Sequence, residues 1–181
     1  MILFRACDPR FPFLWESAAQ PAARWHREGE GPVHYLADTP VGAWAEFLRH
    51  EAIVDPTDLA GVERSLWAVE VATRRYATPR LDAAVLTGGE ETYERCRDEA
   101  ARLRARRVRG LRAPSAALRS GKAHGWRVDG GEHPGRDRDG RVYVLFGRRP
   151  AIVGWPVVER GAPPARTLGL VRPLPARRLS D

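Results

Sequence analysis

Ala23-Arg24-Trp25-His26, Val33-His34-Tyr35-Leu36 and Val41-Gly42-Ala43-Trp44-Ala45-Glu46 set an arginine, a tyrosine and a glutamate at equal intervals of eleven positions. The middle stretch reads as a strand over Val33 to Ala37, because Gly31-Pro32 and Asp38-Thr39-Pro40 bound it at either end. Thr39 followed by Pro40 is a helix cap and first-turn pair, so a helix is predicted from about 40 to 52. Its apolar face is Val41, Trp44, Ala45 and Leu48. Glu46 lies off the centre of that face and is free to look towards a cleft at its edge. Loop, strand and helix thus present a cation, an aromatic ring and a carboxylate in succession.

Outward from this block, Leu3-Phe4-Arg5 predicts a short edge strand. Pro9, Pro12 and Pro21 limit regular structure over residues 7–23, because proline fixes φ and lacks an amide donor. Phe11, Phe13 and Trp15 are expected to pack that loop onto the body. Leu66 to Ala72 alternates as a strand, Leu81 to Leu86 is a weaker apolar segment, and Gly88-Gly89 is a break. Glu90 to Arg107 predicts the clearest helix: Tyr93, Cys96, Ala100 and Leu103 recur at helical spacing, with acids leading and arginines trailing. Val108 to Leu111 opens a strand that ends at Ala113-Pro114-Ser115. Residues 120–140 read as a surface loop, Val142 to Phe146 as a buried strand, and Ile152 to Val158 as a last strand. Pro163, Pro164, Pro173 and Pro175, among many arginines, predict an extended tail. The expected organisation is one α+β domain over residues 1–158 and a Pro/Arg-rich tail over 159–181.

A chain of 181 residues with 43% hydrophobic content suits one domain with a real core. No apolar run approaches the ~18 residues of a membrane span. Arg5 interrupts the N-terminus too soon for a signal peptide. The expected compartment is the cytoplasm, with no membrane partner. Cys7 and Cys96 are the only cysteines and are expected to stay unbridged in a reducing compartment. His26, His34, His50, His124 and His133 lack the spacing of a metal site, so no metal is expected. The net charge of +7 comes almost wholly from arginine spread along the chain, with Lys122 the single lysine. That distribution, beside high Ala and Pro content, resembles codon bias more than a phosphate-tracking surface. The cluster from Arg102 to Arg112 coincides with a predicted helix end, where cations suit the dipole. A basic nucleic-acid-binding module is therefore the third functional reading, and no direct nucleic-acid partner is expected.

The residues themselves point to one chemistry. Breaking the nicotinamide–ribose bond of NAD builds positive charge on the sugar, much as in glycoside hydrolysis. A carboxylate beside that sugar stabilises the charge. The diphosphate calls for arginine, whose planar fork matches phosphate oxygens. The nicotinamide ring is flat and cationic, so an aromatic side chain suits it. Glu46, Arg24, Arg5 and Tyr35 offer these parts.

The order of these residues resembles the RES domain family, named for an arginine, a glutamate and a serine. The resemblance runs through Phe4-Arg5, Ala23-Arg24-Trp25, Gly31-Pro32-Val33-His34-Tyr35-Leu36-Ala37 and Thr39-Pro40-Val41-Gly42-Ala43-Trp44-Ala45-Glu46. It continues in Gly110-Leu111-Arg112-Ala113-Pro114-Ser115-Ala116 and Val142-Tyr143-Val144-Leu145-Phe146. Where the family often has Gly-Gly before the arginine, this chain has Ala22-Ala23, and His26 stands where Asn is frequent. The resemblance implies an ADP-ribosyltransferase-like fold, a split, bent β core with flanking helices around an NAD cleft. It implies a bacterial toxin of a toxin–antitoxin pair that consumes NAD, by phosphorolysis or hydrolysis. The alternative is transfer of ADP-ribose to a cytoplasmic protein. Carried over, Arg5 and Arg24 bind NAD phosphates or the acceptor phosphate, and Tyr35 stacks on nicotinamide. Glu46 is the catalytic carboxylate, and Ser115 bonds the nicotinamide side or orders the pocket. NAD is then the substrate and inorganic phosphate the co-substrate, with no metal. The implied partner is an antitoxin of helix-turn-helix repressor type that blocks the active site, in a joint oligomer.

Overall fold

The computed structural model describes residues 1–72 and 76–173. Its strands are β1 (Ile2–Cys7), β2 (Val33–Ala37), β3 (Arg64–Glu70), β4 (Gly110–Pro114), β5 (Trp126–Val128), β6 (Glu132–Pro134), β7 (Arg141–Phe146) and β8 (Val153–Gly161). Its helices are α1 (Pro40–His50), α2 (Ala83–Thr87) and α3 (Tyr93–Ala105). Six strands form one sheet in the order β4-β7-β2-β1-β3-β8, with every pair antiparallel, and β5 and β6 form a separate hairpin. The fold class is α+β, as the sequence predicts.

The sheet is split in its middle. β1 follows β3 without a break from Ile2↔Glu70 to Cys7↔Ser65, and β2 follows β7 from Val33↔Phe146 to Ala37↔Val142. Between β1 and β2 only Phe4↔Ala37 is in register. Two three-stranded halves therefore meet at one residue pair.

Each half has its own helical cover. Val85 and Leu86 of α2 and Cys96, Ala100 and Leu103 of α3 pack with Val33, Leu111, Ala113, Val142 and Val144. Ala43 and Trp44 of α1 pack with Ala37 and Leu66, and with Phe4 and Ala6 of β1. The opposite face buries Leu3, Leu36, Val69 and Leu145 under Leu14 and Phe13 of the 8–23 loop. Phe13 stacks on Trp67 with ring centroids 4.8 Å apart. Phe11 and Trp15, expected to pack the same loop down, instead stack on each other and stay exposed.

Several sequence expectations shift by context. β1 is an inner strand rather than an edge, because partners reach it from both sides, which a short run cannot reveal. The weak segment from Leu81 to Leu86 becomes α2, a helix whose Val85 and Leu86 are buried under α3. The long helix begins at Tyr93, since Glu90–Thr92 tighten into a 3-10 turn first. Residues 120–140 hold the β5–β6 hairpin, whose side chains are exposed on both strands. In the C-terminal stretch, β8 runs to Gly161 and Ala165–Leu170 form a 3-10 turn against α1. Residues 174–181, part of the expected tail, lie outside the described residues. No helix among the described residues is long and apolar enough to cross a membrane.

α1 starts as its sequence dictates. The Thr39 side chain accepts a hydrogen bond from the Gly42 amide at 3.0 Å, with Pro40 in the first turn. Replacing Thr39 by Ala removes that acceptor, and the expected loss is about 1 kcal/mol. Urea unfolding at unchanged m reads it; a midpoint equal to the parent's would show that the cap contributes nothing.

Candidate active site

Arg24 sits in a tight turn that the surrounding elements hold rigid. Ala23 and His26 exchange backbone hydrogen bonds, at 3.0 and 3.4 Å, across it. The turn needs no glycine: among the described residues only Ala52 and Arg107 are non-glycines with positive φ, so Ala22-Ala23 fits it without strain. α3 supports the turn from outside, where Arg97 Nε donates to Ala23 O at 2.9 Å and Arg104 Nη1 to Trp25 O at 3.2 Å. β2 supports it from inside, where the Tyr35 hydroxyl accepts the Trp25 amide at 3.0 Å and meets His26 Nδ1 at 3.0 Å.

So held, Arg24 is 9% exposed and reaches across to the α2–α3 junction. Its Nη2 donates to the Gly88 carbonyl at 2.7 Å, and its Nη1 to Val85 O at 3.3 Å and Thr92 Oγ1 at 3.2 Å. The guanidinium lies 4.5 Å from the centre of the Tyr93 ring, a cation–π contact. A second arginine joins it. Arg49 of α1, 8% exposed, donates from Nη2 to the same Gly88 carbonyl at 3.0 Å. Gly88 permits this crowding, because a Cβ there would lie 2.5 Å from Thr92 Cγ2 and 2.8 Å from Ala84 O. Burial lowers the Arg49 pKa, the nearby Arg24 charge lowers it further, and Glu46 partly offsets both.

Glu46 stands one turn before Arg49 on α1, half-buried beside this pair. The Ser115 hydroxyl donates to Glu46 Oε1 at 2.9 Å and accepts the amides of Ala117 and Leu118 at 3.2 and 3.1 Å. Ser115 follows β4, and Pro114 at the strand end turns the chain into that short cap. Burial raises the Glu46 pKa, while the Ser115 hydrogen bond and the charges of Arg24 and Arg49 pull the other way. The carboxyl therefore sits among donors that favour its charge and an environment that opposes it, as at functional sites.

The sequence-predicted residues converge unequally. Glu46 and Ser115 are hydrogen-bonded, and Arg24 acts on Glu46 through its charge. Tyr35 joins by ordering the Arg24 turn through its hydroxyl, and burial raises its pKa well above the usual phenol range. Arg5 stands apart, with no hydrogen bond or ion pair to Glu46, Ser115 or Arg24. In register it pairs with Trp67, on the face that Phe13 covers, and its Nη1 is buried without an acceptor. Burial lowers its pKa, partly offset by Cys7 and by Tyr35.

Arg49, Gly88 and Thr92 escaped the sequence reading. The signal for Arg49 was its place three residues after Glu46, one turn along the same helix, which reads as an ordinary surface pair until burial is known. Open surface hollows lie elsewhere among the described residues. One of about 330 Å³ is lined by Glu70, Tyr76, Arg109 and Ile152 among others, and one of about 520 Å³ by Arg10, Phe47 and Glu51 among others. Neither includes Glu46, Ser115, Arg24 or Arg49; the buried charges mark the site more strongly than surface shape. Among the described residues no three His, Cys, Asp or Glu are placed to hold a metal ion.

The Glu46 carboxyl should titrate above 4.5, its ordinary value, when followed by side-chain carbon NMR. Its protonation stabilises the fold at low pH, and that contribution is lost as pH rises through the raised value. Ser115→Ala removes a donor to the carboxylate, so the titration should move higher still; a downward move would contradict the assigned balance.

No curated protein matches this chain. The RES domain family matches residues 2–166, almost the whole of the described chain. That family is generally an NAD-acting domain associated with toxin–antitoxin systems, and its members are commonly paired with an antitoxin. The match spans the Arg24 turn, the Glu46 helix and the Ser115 turn alike, and the chain belongs to the RES domain family.

Proposed function

We propose that this protein consumes NAD by cleaving its nicotinamide–ribose bond, with inorganic phosphate as the preferred acceptor. The observation that carries the reading is the Glu46 carboxylate, oriented by Ser115 at 2.9 Å and faced by Arg24 and Arg49. As the bond breaks, the ribose gains positive charge, and ionised Glu46 stabilises it. Glu46 can also accept the ribose 2′-hydroxyl. The arginines hold phosphate oxygens, and phosphate attacks the sugar carbon as nicotinamide leaves. Tyr35 contributes its ring to the nicotinamide side and keeps the Arg24 turn in place. Ser115 holds Glu46 in one rotamer. Arg5 is assigned to phosphate, an assignment supported by its unpartnered buried donor.

In the cell, the proposed setting is the cytoplasm, with an antitoxin of helix-turn-helix repressor type blocking the site and forming an oligomer with the toxin. Loss of toxicity on co-expression with such a repressor, and persistence of toxicity without it, is the expected pattern. Toxicity unaltered by the repressor would remove that partner from the reading.

Incubation with NAD should release nicotinamide, faster with phosphate than without. Glu46→Ala and Arg24→Ala should each lose about 10²-fold or more of the rate, the scale of losing one charge-stabilising group. In the pH profile the acid limb should follow Glu46, and Ser115→Ala should move it to higher pH. Folded protein that leaves NAD intact in both buffers would end the proposal. Protein adducts in a lysate, found by mass spectrometry, would redirect it to ADP-ribosyl transfer.

A further inference from the structure

One residue closes the turn that carries Arg24 twice over. The His26 main chain exchanges hydrogen bonds with Ala23, and its ring, 2% exposed, meets the Tyr35 hydroxyl through Nδ1 at 3.0 Å. The same hydroxyl accepts the Trp25 amide at 3.0 Å. Burial raises the Tyr35 pKa well above the ordinary phenol value, so the hydroxyl keeps its proton. Among the described residues the hydroxyl has two hydrogen-bond partners, the Trp25 amide and His26 Nδ1. An amide N–H only donates, so the Tyr35 proton goes to Nδ1, and Nδ1 carries a lone pair. The neutral ring then holds its own proton on Nε2, which is buried without a hydrogen-bond partner. The other tautomer leaves both the Tyr35 proton and Nε2 unserved, two unmet groups in place of one.

We propose that His26 is a positioning residue that secures Tyr35 and the Arg24 turn only while its ring is neutral, so that protonating this one buried histidine releases the site. Protonation turns Nδ1 from acceptor into donor. The Tyr35 oxygen then faces two N–H groups, and its own proton loses its acceptor. The surroundings oppose the charge as well. Burial lowers the His26 pKa and the Pro21 carbonyl raises it; of the charges facing the ring, Arg104 and Arg97 of α3 lower it and Glu30 raises it. Glu30 is itself bonded by Arg104 Nη2 at 2.5 Å. Folding therefore favours the neutral ring. That contribution is present above 6.5, the ordinary value, and is lost as pH falls through the lowered one. Asparagine, frequent at this place in the RES family, offers an oxygen acceptor that does not titrate. That the released site is one for NAD rests on the NAD-consuming reading; the coupling of His26 to the Arg24 turn rests on these hydrogen bonds alone.

The test follows the full chain by nitrogen and proton NMR as pH is lowered from neutrality, with His26→Asn identifying the His26 signals. Neutral His26 should carry its proton on Nε2, and the Trp25 amide resonance should move with the His26 midpoint, below 6.5. A neutral ring protonated on Nδ1, or a Trp25 amide indifferent to the His26 titration, overturns the proposal. Tyr35→Phe removes the donor to Nδ1, so the His26 midpoint should rise; a fall overturns it too. In nicotinamide release at neutral pH, His26→Leu should raise KM for NAD about threefold to tenfold, the scale of one net hydrogen bond, and His26→Asn should recover most of it. In acid the parent's KM should climb as His26 protonates while that of His26→Asn holds; parallel KM profiles overturn the proposal. Should His26→Leu fail to fold, the NMR of the parent decides alone. If NAD survives intact but the Trp25 amide follows His26, the coupling stands and the NAD reading falls. If NAD is consumed and the amide ignores His26, the reverse holds.

Discussion

The carbonyl of Gly88 accepts hydrogen bonds from two buried guanidiniums, Arg24 at 2.7 Å and Arg49 at 3.0 Å. Charges so far from water are tolerated only where hydrogen bonds and opposite charge replace hydration. Gly88 can serve both because nothing but hydrogen fits on its α-carbon between Thr92 and Ala84. That contact ties the turn before β2 to α1 and to the α2–α3 junction. Losing it would leave two cations buried against fewer acceptors. The position of Glu46 depends on the same contact, since Arg49 lies one turn along its helix.

The sheet explains why such a tie is needed. Its halves share only the Phe4↔Ala37 pair, so backbone bonding alone does little to fix one against the other. α1 covers the β1–β3 half and the α2–α3 pair covers the β4–β7 half. The side chains proposed to act come from both sides of that seam: Glu46 and Arg49 from α1, Arg24 from the supported turn, and Ser115 from the end of β4. A site built between two covers can hold opposing demands on one carboxyl. Burial presses Glu46 towards its neutral form, while Ser115, Arg24 and Arg49 favour the ion. Membership of the RES domain family gives this arrangement its chemical context.

Local signals made much of this legible. The strand from Val33 to Ala37 and the capped helix after Thr39 were readable because turn residues bound one and a Thr-Pro pair opens the other. The arginine, glutamate and serine were readable because their flanking segments resemble the family's. Context altered other elements. Leu81 to Leu86 became a helix once it packed under α3, and β1 became interior once two strands paired with it. Neither outcome depends on properties confined to the segment itself.

The sequence by itself determined the mixed α+β class, the strand and helix that carry Tyr35 and Glu46, and the set of residue types from which the site is made. Periodicity, caps and proline placement act over a few residues, and those are preserved in the chain order. Only the tertiary structure decided which of these residues meet. It joined Ser115 to Glu46 across 69 positions. It left Arg5 buried without a hydrogen bond to Glu46, Ser115 or Arg24, and it brought in Arg49, which local spacing did not mark. Burial and charge are properties of the neighbourhood, and a neighbourhood assembled from distant segments exists only once the chain has folded.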